Sequence, residues 1–208
     1  VEWARVPFHP VEQPRGKAMQ TAQIQVETKL TRHCPEFAKE HHWIDRLGDG
    51  TRVLVRPIRA EDRQLERAFI MRLSPESRRL RFFDTFNQPS DALLDQLVDV
   101  DNSHSVAFVA VIHDDGHLRE IGVSRFAAER DGTRCECAIT VADDWQHRGL
   151  GVTLMKHLIS VAREKGFSQL FSIDRADNLL VRDLVKYLGF SHHPVADDAT
   201  MVRYTLDL

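Results

Sequence analysis

The stretch 143-DDWQHRGLGVTLMKHL-158 sets two acids, an aromatic ring and a Gln-His-Arg cluster before a Gly-Leu-Gly turn, followed by apolar residues at helical period. A helix start leaves about four backbone N–H groups without intrahelical partners, and the macrodipole adds partial positive charge there. Anions bind at such places. Gly149 and Gly151 carry no side chain to block close approach, while Gln146, His147 and Arg148 add donors and positive charge. The pattern fits a phosphate or pyrophosphate. A P-loop requires Lys-Ser/Thr after its last glycine, whereas Gly151 is followed by Val152 and Thr153. A dinucleotide fingerprint requires a small residue where Leu154 stands, after the first strand of a βαβ unit. Neither matches.

The surrounding pattern shows what kind of strand feeds this turn. Upstream, "SVAFVAVI" (105–112), "EIGVSRFAA" (120–128) and "CECAITV" (135–141) are separated by Asp115-Gly116 and Asp131-Gly132, which predicts an antiparallel meander. Downstream, a long helix from Gly149 to about Lys165 stops at Gly166. A strand "QLFSI" (169–173), a helix from about Asn178 to Leu188 and a last strand "MVRYTL" follow. Before the meander, Val53 and Val55 alternate as a strand. Leu65, Phe69 and Leu73 mark a helix over 61–72. Ser74 and Pro75 start a second helix, and Ser90 caps a third carrying Leu93, Leu94, Leu97 and Val98. These elements predict an α+β domain around one mixed sheet over residues 51–208. Residues 1–50, with scattered prolines and weak periodicity, read as a partly irregular N-terminal extension.

Composition bounds the function. The chain has 208 residues, 42% of them hydrophobic, enough for a real core. With 28 basic and 31 acidic side chains the net charge is −3, which provides no general field for a polyanion, so no nucleic-acid partner is expected. No apolar run approaches the roughly 20 residues of a membrane span, and the N-terminus lacks a secretory apolar stretch, so the expectation is a cytoplasmic protein with no membrane partner. Three cysteines in no disulfide-framework spacing agree with a reducing compartment. His33, Cys34, His41 and His42 match no zinc pattern, so no metal is expected.

Gln-x-x-Gly-x-Gly after a meander, in "VADDWQHRGLG", resembles the acetyl-CoA pyrophosphate loop of the GNAT superfamily of N-acetyltransferases. The resemblance extends over residues 51–208, since "NLLVRDLVKYLGF" is similar to the superfamily's second motif. "VRPIRAEDRQLERAFIMRLSPESRRLRFF" with "CECAITVADDWQHRGLG" further resembles the GNAT domain of bacterial protein lysine acetyltransferases, the acetyl-CoA synthetase acetyltransferase group. Some of that group carry acyl-CoA-ligase-like or cyclic-nucleotide-binding domains. The chain is too short for the former, and residues 1–50 do not resemble the latter.

The resemblance implies a GNAT-like fold, acetyl-CoA as co-substrate, a primary amine as acceptor and a homodimer as a possible assembly. It places the pyrophosphate on the loop amides from His147 through Arg148, Gly149, Leu150 and Gly151 to Val152, with Gln146 beside them. Pantetheine then pairs with backbone groups of the strand near Ile139 and Val141, and Asn178 either contacts the cofactor arm or caps its helix alone. An amine with a reference pKa of about 10.4 needs a base. Glu136, between Cys135 and Cys137, matches the position of the lysine acetyltransferase group's glutamate, about ten residues before Gln146; the competing reading has it face solvent by alternation. Arg81, Phe82 and Phe83 lie in the region bordering the acceptor groove, or are ordinary core and surface. The superfamily's frequent tyrosine acid has its slot at Val185, and Tyr187, about 200° further around the helix, should point elsewhere. An acyl-cysteine on Cys135 or Cys137 is the less expected route, and His157 reads as packed or surface. Asp143 and Asp144 read as helix-dipole or capping residues. Three functions follow: transfer to a protein lysine, transfer to a small amine, or a non-catalytic acyl-CoA sensor.

Overall fold

The computed structural model describes residues 35–83, 86–196 and 198–208. Eight strands form one sheet in the order β1-β2-β3-β4-β5-β6-β8-β7. In chain order the elements are α1 (Pro35–Glu40), β1 (Trp43–Arg46), β2 (Arg52–Pro57), α2 (Arg63–Arg72), α3 (Pro75–Phe82), α4 (Asp91–Val98), β3 (Ser105–Asp114), β4 (His117–Ala128), β5 (Arg134–Val141), α5 (Leu150–Glu164), β6 (Gln169–Arg175), α6 (Leu179–Tyr187), β7 (Ser191–Val195) and β8 (Asp198–Asp207). β2 through β5 pair antiparallel, β5 and β6 pair parallel, and β8 returns antiparallel to β6. This is the mixed α+β sheet expected from the sequence.

The helices begin where local chemistry says they should. Ser74 Oγ accepts from the Ser77 N–H at 3.1 Å with Pro75 in the first turn, and Ser90 Oγ accepts from the Leu93 N–H at 3.1 Å. Their packing is decided by β4. Ser124 Oγ donates to the Leu154 carbonyl of α5 at 3.4 Å, and a Cβ on Gly122 would stand 3.0 Å from Leu154 Cδ1 and 3.2 Å from the Thr140 carbonyl. Glycine at 122 therefore lets α5 lie close on this face. Arg125, pointing the other way, reaches Glu66 of α2 at 4.0 Å. So α5 covers one face and α2 the other, over a core that includes Phe69, Phe108, Phe126 and Leu158.

A register shift between Ala110 and Val111 pairs them with Gly122 and Glu120, leaving Ile121 as the extra residue on β4. The bulge turns Glu120 onto the α2 face, fully buried near Glu66. Burial, then the charge of Glu66, holds the Glu120 carboxyl well above the usual carboxylate range. A group whose pKa is raised by folding contributes stability fully present below its unfolded pKa and lost as pH rises through the folded one. Glu120→Gln, which has no proton to lose, is expected to match wild type at pH 4, just below the unfolded pKa of about 4.3, and to unfold at progressively higher temperature than wild type toward pH 8.5. Equal shifts at both pH values in thermal unfolding would contradict this account of the carboxyl.

Residues 35–50, upstream of the boundary drawn at 51, carry α1 and β1. That division falls inside the β1–β2 hairpin, and the segment is tied to α5 and the loop before it. His41 Nε2 lies 3.2 Å from Glu164, His157 Nε2 lies 2.8 Å from Asp45, and Arg148 lies 3.5 Å from Asp49. Trp43 stacks on His157 with ring centroids 3.9 Å apart and meets Phe108 edge-on at 5.2 Å. Trp43→Ala is expected to cost about 2 kcal/mol in denaturant unfolding, below the 3–5 typical of a fully buried tryptophan because this ring is half-buried. β7 was also absent from the sequence reading. Its "SHHPV" has no apolar alternation, and it forms by pairing with β8 at the sheet edge, where Pro194 is tolerated. His33 and Cys34 lie outside the described residues, and among those described no cluster of His, Cys, Asp or Glu is arranged to hold a metal ion. Nor is any described helix long and apolar enough to cross a membrane.

Candidate active site

β5 and β6 are hydrogen-bonded for one short stretch, Arg134–Glu136 against Gln169–Phe171, and both strands then run on separately, to Val141 and Arg175. The sheet is split from Glu136 onward. Strand N–H and C=O groups of one residue point to the same edge and alternate along the chain. The Ala142 N–H donates to the Ile121 carbonyl, and the Thr140 carbonyl lies against Gly122, so Thr140 and Ala142 serve β4. Ile139 and Val141 therefore present their backbone groups to the gap. The Val141 carbonyl accepts from Gln146 Nε2 at 3.4 Å, which sets the start of the loop beside the strand end.

A cavity of about 390 Å³ occupies the split and continues to the start of α5. Gln146, His147, Gly149, Gly151 and Val152 line its loop end, Ile139, Val141 and Asn178 its middle, and Glu136, Arg81 and Phe83 its inner and α3 sides. The structure thus brings most of the residues singled out from sequence into one space. Gly149 is the N-cap of α5 with φ of 86°, a conformation that glycine adopts without strain. The Thr153 N–H makes the first helical bond, to the Gly149 carbonyl, so the amides of Leu150, Gly151 and Val152 precede it. These amides fit a pyrophosphate.

Three of the residues singled out from sequence stand outside the cavity lining. Arg148 lies outside the cavity lining, its guanidinium 4.7 Å from the Trp145 ring centroid and paired with Asp49, so its charge serves the loop's attachment to the β1–β2 hairpin. The Leu150 side chain is buried in the core at 1% exposure, which leaves its backbone alone for a ligand. Phe82 packs edge-on against Phe86 at 5.2 Å and does not line the cavity. Tyr187, expected to point elsewhere, lines the cavity at its rim, 70% exposed, and Val185, 5% exposed, lines it as well. Asp143 accepts from the Ser74 N–H, Ser74 Oγ and Ser77 Oγ at 2.7–2.9 Å, so it holds the N-cap residue of α3 and fixes α3 against the loop.

The electrostatics separate the candidates. Glu136 is 8% exposed, so the solvent-facing reading is wrong: α3 covers the face that alternation assigned to solvent. Burial, then repulsion by Arg125, pulls the Arg81 guanidinium down to about 10, where it stays charged near neutral pH. Burial pushes the Cys135 thiol up to about 12 and the Cys137 thiol well above the usual range, which leaves both poor nucleophiles. Asn178 is 6% exposed; its Oδ1 accepts from the Val181 N–H at 3.3 Å and its Nδ2 donates to Asp174 Oδ1 at 3.1 Å. Asp174, missed in the sequence, also lines the cavity, and burial raises its carboxyl to about 6. No local motif marks it, since its place depends on the β5–β6 register.

A mixed sheet split beside a glycine-opened helix start is the architecture of an acyl-CoA acyltransferase. The chain belongs to the acetyltransferase (GNAT) family, whose model matches residues 67–190, and members of that family use acyl-CoA. It is 52% identical over 167 residues to the acetyltransferase PA5475 of Pseudomonas aeruginosa, covering 80% of this chain and 90% of that protein. It is 34% identical over 110 residues to the acetyltransferase Pat of Mycolicibacterium smegmatis, covering 52% of this chain but 32% of that longer protein. The fold is similar to the GNAT domain of S. lividans PAT with a TM-score of 0.75 at 24% identity, covering 81% of this chain and 98% of that one.

Proposed function

We propose that the chain moves an acetyl group from acetyl-CoA to a primary amine, a protein lysine being the acceptor, by direct attack with Glu136 as general base. The observation that carries this is the place of Glu136, buried at the point where β5 leaves β6 and opening on the same cavity as the α5 amides. The amides of Leu150, Gly151 and Val152 would hold the pyrophosphate, and the gap-facing backbone of Ile139 and Val141 the pantetheine amides. With the donor lying along β5, its thioester carbonyl would come to an amide of that strand and its acetyl carbon toward Glu136. The amine arrives as an ammonium; Glu136 takes its proton, and the neutral nitrogen attacks. A lysine acceptor is supported by the likeness of residues 55–83 and 135–151 to protein lysine acetyltransferases. The test is thiol release from acetyl-CoA with a panel of proteins and small amines, wild type against Glu136→Gln. Glu136-dependent modification of protein lysines is the expected result. Turnover on small amines alone would move the acceptor, and acetyl-CoA binding without turnover on any amine would make the chain a sensor.

A further inference from the structure

We propose that Asp174 is the acid that protonates the departing thiolate, an assignment that rests on the acetyl-transfer reading above. Breaking the thioester leaves a charged sulfur, and the superfamily's tyrosine slot is here Val185, 5% exposed and without a proton to give. Among the described residues, the other proton carriers lining the cavity are poorly placed or poorly suited. Tyr187 is on the rim at 70% exposure, Asp183 faces solvent beside Arg182, and His147 belongs to the loop end. Cys137 is fully desolvated and holds its proton too tightly. Tyr204 is buried on β8 and lies outside the lining.

The register places Asp174 where the sulfur must be. Glu136 and Phe171 are the last paired residues before the split, and three residues further along each strand stand Ile139 on β5 and Asp174 on β6. Parallel strands rise equally, so these two face each other across the gap. A thioester carbonyl held near the Ile139 N–H thus presents its sulfur to the opposite wall. Asp174 is held there by the Asn178 Nδ2–H at 3.1 Å and the Arg175 N–H at 2.8 Å, both donated to Oδ1, which leaves Oδ2 to carry a proton. The groups that face it are Arg81 from α3, which lowers its pKa, and Asp177 from the turn, which raises it. Tyr204 of β8 also faces it, its phenol held up by burial first and by this carboxylate second. Burial outweighs them, and a pantetheine arm in the gap would remove further water and raise the carboxyl more.

The proton and electron count closes. Glu136 takes one proton from the ammonium, and the nitrogen lone pair forms the C–N bond. The C–S bond breaks with its electron pair going to sulfur, and Asp174 Oδ2–H gives that sulfur a proton. The new amide nitrogen sheds its extra proton to solvent and Asp174 regains one from solvent. Glu136 then releases the ammonium proton, so one proton is liberated per turnover.

The experiment is the pH dependence of kcat, and of KM for acetyl-CoA, for the full chain as wild type, Asp174→Asn, Tyr187→Phe and Glu136→Gln with the acceptor found above. Asparagine keeps Oδ1 and both hydrogen bonds to it, so the fold and the Asn178 contact are expected to persist, as checked by thermal unfolding. The expected result is a kcat lowered about 100-fold in Asp174→Asn with KM within about threefold, loss of the descending alkaline limb, and Tyr187→Phe within about twofold. The proposal is overturned by a normal kcat in Asp174→Asn, by a lowered kcat with the wild-type pH profile or a proportionate rise in KM, or by the loss falling on Tyr187→Phe. If wild type turns over and Glu136→Gln does not while Asp174→Asn is normal, this assignment alone falls. If wild type modifies no amine, the acetyl-transfer reading falls and takes it along.

Discussion

Glu136→Gln is expected to lower kcat for amine acetylation by about 10²–10³-fold while leaving KM for acetyl-CoA within about threefold. The substitution is isosteric, and the residue lies at the far end of the cavity from the α5 amides, so donor binding should persist. What is lost is the group that removes the ammonium proton. An unassisted lysine, with a reference pKa of about 10.4, offers a neutral fraction near 10⁻³ at pH 7.4, and that fraction rises about tenfold per pH unit. The residual rate of Glu136→Gln should therefore climb with pH and narrow its gap from wild type toward pH 9.5. Steady-state rates at pH 7, 8 and 9 check this. A constant ratio across that range would mean that Glu136 positions groups rather than moves a proton, and an unchanged kcat would remove it from the chemistry.

Alternation along 135–141 correctly opposes Glu136 to Cys135 and Cys137 but does not say what covers each face. The sequence supplies no solvent-facing side here because α3 closes over β5, held by the three hydrogen bonds Asp143 accepts from Ser74 and Ser77. That contact spans nearly seventy residues of chain and has no local signature. Helix starts at Ser74, Ser90, Gly149 and Asn178 were legible because capping is decided by neighbours in sequence. Edge strands β1 and β7 were not, because pairing with β2 and β8 creates them. The same distinction runs through the site. The turn that exposes the α5 amides is written in residues 146–151, whereas the split that makes room beside them depends on where β5 stops pairing with β6. Asp174 comes into view once that register is known. Arg148 shows the converse: its charge next to an anion loop suggested a ligand contact, and Asp49, in the turn that follows a strand absent from the sequence reading, pairs with it.

Gly151→Asp is expected to raise the Kd for acetyl-CoA by 100-fold or more while leaving the fold near wild-type stability. The stability half follows from space. A Cβ at 151 would meet Leu184 Cδ2 at 3.5 Å and Ile139 Cδ1 at 3.7 Å, ordinary van der Waals distances. The position is in the first turn of α5, where a carboxylate is favoured by the macrodipole by about 0.3–1 kcal/mol and offsets the small cost of the new side chain. The binding half follows from the same electrostatics turned against the ligand. The carboxylate takes the place the amides of Leu150, Gly151 and Val152 offer an anion, and it repels the pyrophosphate where water is partly excluded. A rise of 100-fold corresponds to about 2.7 kcal/mol, within reach of one like-charge contact in a half-buried site. Gly151→Ala is the control: it adds the same Cβ without charge and should weaken binding less than tenfold. Calorimetric titration with acetyl-CoA, beside thermal unfolding of both variants, separates the outcomes. Equal weakening by Ala and Asp would show that bulk at 151 obstructs the donor. Unchanged binding in Gly151→Asp would move the pyrophosphate off the start of α5 and, with it, the direction in which the thioester is presented to Glu136.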